Sequence, residues 1–95
     1  MSEDFDDRLQ VLKDRFLARS AGDLEVIEKA RVAPQSVSRE NLRQVVHRLA
    51  GAAGTFGYAE LSRIAGEADD ALVLNHADMG PELTRLAEAL RAALP

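Results

Sequence analysis

The chain has no cysteine and no tryptophan, and only one tyrosine, three phenylalanines and three prolines among its 95 residues. Without cysteine there is no disulfide framework, no thiol nucleophile and no zinc knuckle, and the two histidines, His47 and His76, stand too far apart to outline a metal site. No apolar run approaches the roughly 18 residues of a spanning helix. Met1 is followed by Glu3, Asp4, Asp6 and Asp7, the reverse of a cationic signal-peptide start. These absences predict a cytoplasmic protein with no redox or zinc chemistry and no membrane association. The scarcity of β-branched and aromatic residues also leaves little from which to build a sheet.

What is present is a helix-forming mixture of Ala, Leu, Arg and Glu, 46% hydrophobic and 29% charged. Length and composition predict one domain over 1–95, with an all-α fold. The net charge of −4, from 12 basic and 16 acidic residues, argues against a nucleic-acid partner, which needs a concentrated positive face. Locally the balance inverts, because Arg31, Arg39, Arg43 and Arg48 are opposed only by Glu40. That stretch is either a docking face for an anionic partner or an ordinary solvated helix face.

Hydrophobic spacing divides the chain into four helices. Phe5, Leu9, Leu12, Phe16, Leu24 and Ile27 recur at steps of three and four with a polar gap at Ser20, so the first helix is expected over about 3–32, with Gly22 as the place for a bend. The acids at 3–7 suit its N-terminal dipole. Pro34 marks a short loop, Ser38 is a good N-cap for a second helix from Arg39 to about Thr55, and Gly54 and Gly57 supply stop and turn signals. A third helix from about Tyr58 to Leu74 buries Leu61, Ile64, Ala65, Ala68 and Leu72. After a connection at 75–80, Pro81 opens a fourth, with Leu83, Leu86, Ala87, Leu90 and Leu94 inward. Short loops predict a four-helix antiparallel bundle. Tyr58 and all three phenylalanines are placed at core or helix-edge positions, and His76 in a surface loop.

The chemistry concentrates in Val45–Gly57, VVHRLAGAAGTFG. At about 100° per residue, Leu42, Val45, Leu49, Ala53 and Phe56 fall opposite His47, whereas Glu40, Arg43, Gln44, Ala50, Gly51 and Gly54 fall within about 60° of it. His47 therefore points away from the core. Its neighbours are small, and a mid-helix glycine costs roughly 0.8–1 kcal/mol relative to alanine. Clearance for an approaching protein surface explains Ala50, Gly51 and Gly54 together. Imidazole has a neutral form near pH 7 with a free lone pair, so an exposed histidine can attack phosphorus without a separate base. No Walker loop or kinase nucleotide motif occurs, which argues against self-phosphorylation from ATP.

His47-Arg48-Leu49-Ala50-Gly51, followed by Gly54, Gly57 and Leu61, resembles the histidine-containing phosphotransfer (HPt) domain, whose signature is H-x-L-K-G with a trailing Gly and Leu. The resemblance spans about residues 42–72. It implies an HPt-like four-helix bundle in which His47 exchanges a phosphoryl group with aspartates of response-regulator receiver domains, in a relay that includes a sensor histidine kinase. It implies a phosphoryl carrier with no kinase site and no cofactor of its own, the Mg²⁺ belonging to the partner receiver. Ala50 departs from the pattern, because the family usually has a lysine there to support the phosphoryl charge. Arg43, one turn before His47, is the nearest replacement, with Arg48 flanking at about 100°. Some relatives orient the histidine by a carboxylate on the next helix, and the matching position is Asp69. Asp is shorter than the Glu expected there, and a solvated Asp69 is the alternative. Gln44, Arg48, Ala50, Gly51 and Gly54 form the expected partner surface. Four helices that close one core predict a monomer. The alternative function is a binding-only helical module that docks and regulates a receiver or kinase without carrying phosphate.

Overall fold

The computed structural model describes residues 2–95, arranged as α1 (Ser2–Val32), a 3₁₀ turn (Pro34–Ser36), α2 (Arg39–Thr55), α3 (Ala59–Val73) and α4 (Gly80–Ala93). No strand occurs among the described residues. The four helices form the expected antiparallel bundle, with boundaries within one or two residues of those read from the sequence.

Local chemistry sets those boundaries. Ser38 takes extended backbone angles and its Oγ accepts the Asn41 N–H at 3.1 Å, capping α2. At the other end of α2, Gly57 has φ +85, Gly57 N–H donates to Gly54 O, and Tyr58 N–H donates to Ala53 O at 2.9 Å. This is a Schellman closure, and a β-carbon at position 57 would strain it. The end of α3 repeats the geometry with Asn75 at φ 59, the Asn75 N–H donating to Leu72 O and the His76 N–H to Ala71 O. Asparagine is the residue other than glycine that best tolerates this conformation.

Ile27, Val46, Leu49, Leu86 and Leu90 are fully enclosed. Ala53, Ala65 and Ala68 are also buried, and their small side chains let α2 and α3 approach closely. Val46 belongs to this core, although the sequence reading did not name it among the inward residues of α2.

The first helix departs from expectation in two ways. Its apolar series, which placed the helix, is not buried along its whole length: Phe5 is 66% exposed, and Leu9 and Leu12 are exposed with it. The reason is length: 31 residues at about 1.5 Å each outrun partner helices of 14 to 17 residues, and the molecule measures 50 × 21 × 21 Å. Conversely, the polar gap at Ser20 is no surface interruption, because Ser20 and Asp23 are both buried. The helix runs unbroken through Gly22.

Candidate functional site

His47 stands on the outward face of α2 with its side chain 72% exposed, as the helical wheel requires once Leu42, Val45, Val46 and Leu49 are committed to the core. Across the α2–α3 groove Asp69 is mostly covered, and its Oδ2 lies 2.8 Å from His47 Nδ1. The shorter carboxylate reaches the ring because α2 and α3 pack on alanines, so the solvated alternative for Asp69 does not describe this structure.

With a carboxylate as its neighbour, Nδ1 is the protonated nitrogen and donates to Asp69. The lone pair is then on Nε2, at the exposed end of the ring. The other carboxylate oxygen, Oδ1, has no hydrogen-bond partner among the described residues, and Arg43 Nε approaches it at 3.9 Å. Arg43 therefore joins His47 and Asp69 in one group while staying more than half exposed. An open cleft continues from His47 along Gln44, Arg43 and Arg39 to Leu72 and Asn75 on the α3 side. Its lining carries two arginines and one acid, Glu40.

The remaining expected residues separate. Arg48 turns away from His47 toward α1, where its Nη2 donates to Asp23 Oδ1 at 2.8 Å. Burial raises the Asp23 pKa and the Arg48 charge opposes that rise. Gly51 faces open space, with nothing within 4 Å of where its β-carbon would be. Gly54 does not: its β-carbon would meet Ser62 Oγ at 3.2 Å. The Ser62 hydroxyl in turn donates to Ala50 O at 2.7 Å, and Ala50 is half-buried. The flat outward shelf expected from Ala50, Gly51 and Gly54 thus narrows to Gly51, while Ala50 and Gly54 serve the contact between α2 and α3.

Sequence reasoning missed Asp23 and Ser62. Asp23 had a visible signal, since an acid four residues from Ile27 on an apolar stripe needs a partner, and Arg48 lies on the flank of α2 that faces α1. Ser62 had none, because its role depends on where two helices cross. His76 lies exposed in the α3–α4 connection, away from this group.

Among the described residues no cluster of three His, Asp or Glu side chains is placed to hold a metal ion, and no helix is long and apolar enough to cross a membrane. A family model, the Hpt domain, matches residues 11–94. No curated protein and no solved structure gives a significant match to the chain.

Proposed function

The chain belongs to the Hpt domain family, whose members are phosphocarrier modules of two-component signalling, and on that footing we propose that His47 is the phosphoryl-accepting residue. In this reading the protein shuttles the group between His47 and receiver-domain aspartates, or takes it from a sensor histidine kinase, in the cytoplasm. The observation that carries the reading is the His47–Asp69 pair: a highly exposed imidazole held at 2.8 Å by a covered carboxylate.

The step balances within that geometry. The Nε2 lone pair attacks phosphorus of the receiver's aspartyl phosphate, the P–Nε2 bond forms, and the P–O bond to the aspartate breaks. The receiver's carboxylate leaves with the bonding electrons. No proton need move, because Nδ1 keeps its hydrogen toward Asp69 while the ring acquires positive charge beside that carboxylate. The reverse step returns the phosphoryl group to another receiver. Holding one tautomer and one ring orientation saves the reorganisation that a free surface histidine undergoes.

Arg43, on the same face one turn earlier, supplies the cation that Ala50 lacks, and the partner receiver's Mg²⁺ supplies the rest. Gly51 leaves the next turn open for the receiver's loops, and Gln44 and Arg39 extend the docking face. The test is incubation with a phosphorylated receiver. Wild-type chain should acquire an acid-labile, base-stable label, and His47→Gln should acquire none while keeping its melting temperature. Labelling of that variant would remove His47 from the mechanism. An unlabelled wild type that still binds the receiver would make the chain a binding-only module.

A further inference from the structure

A second cleft, of about 220 Å³, lies between α1 and α2, and none of its lining residues belongs to the group of His47, Asp69 and Arg43. On α1 its wall is a single face, because Leu12, Arg15, Phe16, Arg19 and Asp23 recur at steps of three and four, with Ser20 beside them. On α2 the wall is Arg48, Leu49, Ala52 and Phe56.

The two helices run antiparallel, so both walls are graded in the same direction. Phe16 stacks on Phe56 with ring centroids 5.3 Å apart, and Leu12 lies one turn beyond, which makes this end apolar. About two turns further along α1, Arg48 meets Asp23 at 2.8 Å, with Arg19 and Ser20 just before them. That end is polar.

Its charge is unbalanced. Arg15, Arg19 and Arg48 line the cleft against one acid, Asp23, which Arg48 already engages. Among the described residues neither Arg15 nor Arg19 has a carboxylate within ion-pair distance. Ser20 adds an independent sign. It is 1% exposed, and its hydroxyl has no hydrogen-bond partner among the described residues. A buried hydroxyl left unpaired is uncommon in a folded chain, and this one belongs to the inner wall between the apolar end and the arginines.

Size restricts the occupant. The cleft is smaller than the sites of drug-sized ligands, about 300–1,000 Å³, and larger than the roughly 150 Å³ apolar cavity that takes up benzene. A ring or a short alkyl chain with one anionic head falls in that range. A carboxylate head matches the guanidinium fork and accepts a hydroxyl hydrogen. A single negative charge suits the site better than a phosphate dianion, because Asp23 lies at the same end.

We propose that the α1–α2 cleft binds a small monocarboxylate with a ring or short alkyl tail, its head held by Arg15, Arg19 and the Ser20 hydroxyl and its tail against Leu12, Phe16 and Phe56. The proposal is independent of the phosphotransfer reading, since it uses no residue of that group.

Titration of the full chain with 3-phenylpropanoate, followed by amide NMR shifts, tests it, with hexanoate as a second probe. Shifts should saturate and concentrate in residues 12–23 and 48–56. 3-Phenylpropanamide, which keeps the ring and loses the charge, should bind roughly tenfold or more weakly, and acetate, which keeps the charge and loses the tail, should not saturate. Arg15→Gln/Arg19→Gln should weaken binding by roughly tenfold or more with melting unchanged, because both side chains are exposed. Ser20→Ala should weaken it several-fold while keeping cooperative melting. No saturable shift with either carboxylate, equal affinity for acid and amide, or binding indifferent to the arginine pair or to Ser20→Ala would each overturn the proposal. Shifts centred on Arg39 and Arg43 would place the anion at the His47 cleft and overturn it as well.

Discussion

Arg48 and Asp23 join α2 to α1 through a 2.8 Å ion pair whose two ends differ in burial: the carboxylate is covered, whereas the guanidinium side chain is 42% exposed. The asymmetry decides which partner can be lost. Removing Arg48 strands a buried charge, and removing Asp23 leaves a cation that water can reach.

Arg48→Ala should therefore destabilise the fold by about 2–3 kcal/mol at neutral pH, below the usual range for a fully buried pair because Arg48 is partly solvated. Asp23→Asn should cost less than about 1 kcal/mol. The folded-state pKa of Asp23 is raised, so the folded chain binds this proton more tightly than the unfolded chain. Its contribution to stability accordingly falls as pH rises from the unfolded carboxylate value through the folded one. Without Arg48 the rise is larger, so the deficit of Arg48→Ala should shrink as pH is lowered through that window. Urea melts at several pH values measure it, and a deficit constant with pH would refute the assignment.

The two glycines of α2 should part company. Gly51→Leu adds helix propensity of about 0.8 kcal/mol and meets nothing in the chain, so stability should rise while transfer from a phospho-receiver drops tenfold or more. Gly54→Leu drives a side chain against Ser62 and should lose about 1–3 kcal/mol. Melting temperature and transfer rate, measured on both variants, separate clearance for a partner from packing within the fold.

Asp69→Asn keeps the shape but removes the charge that holds the Nδ1 proton. With a charged hydrogen bond contributing about 1.5–3 kcal/mol, transfer to His47 should slow roughly tenfold or more with little change in melting. Nitrogen chemical shifts of the ring should show the protonated nitrogen no longer fixed at Nδ1. An unchanged rate would mean that orientation by Asp69 does not contribute.

Arg43→Ala should slow transfer from a saturating phospho-receiver by roughly tenfold if its contact with the phosphoryl group is made in the transition state. Ala50→Lys added to that variant should recover part of the rate, since both cations address one charge from neighbouring positions. Full activity of Arg43→Ala would leave charge support wholly to the receiver.

The helices, the cap at Ser38 and the outward direction of His47 were legible because each depends on residues close in sequence: apolar period, a hydroxyl before a helix, angle around one axis. The exposure of the tip of α1 was not legible, because periodicity reports which face is apolar, not whether another helix reaches far enough to cover it. Asp69 could be located by spacing, but its reach depended on how closely alanine-lined helices pack. Gly54 looked like Gly51 from the sequence, since both lie on the outward side of α2. Only the position of α3 distinguishes them.

The contact of Gly54 with Ser62 acts on more than local packing. From that crossing the chain counts seven residues back along α2 to His47, and seven forward along α3 to Asp69. In antiparallel helices both counts advance the same way by about 10.5 Å, two turns. The crossing is thus a gauge: it sets the level at which imidazole and carboxylate meet, and a change in thickness there is read out as a change in their separation. Selection on the small residues at positions 54 and 62 would tune the reactivity of a histidine that lies two turns away.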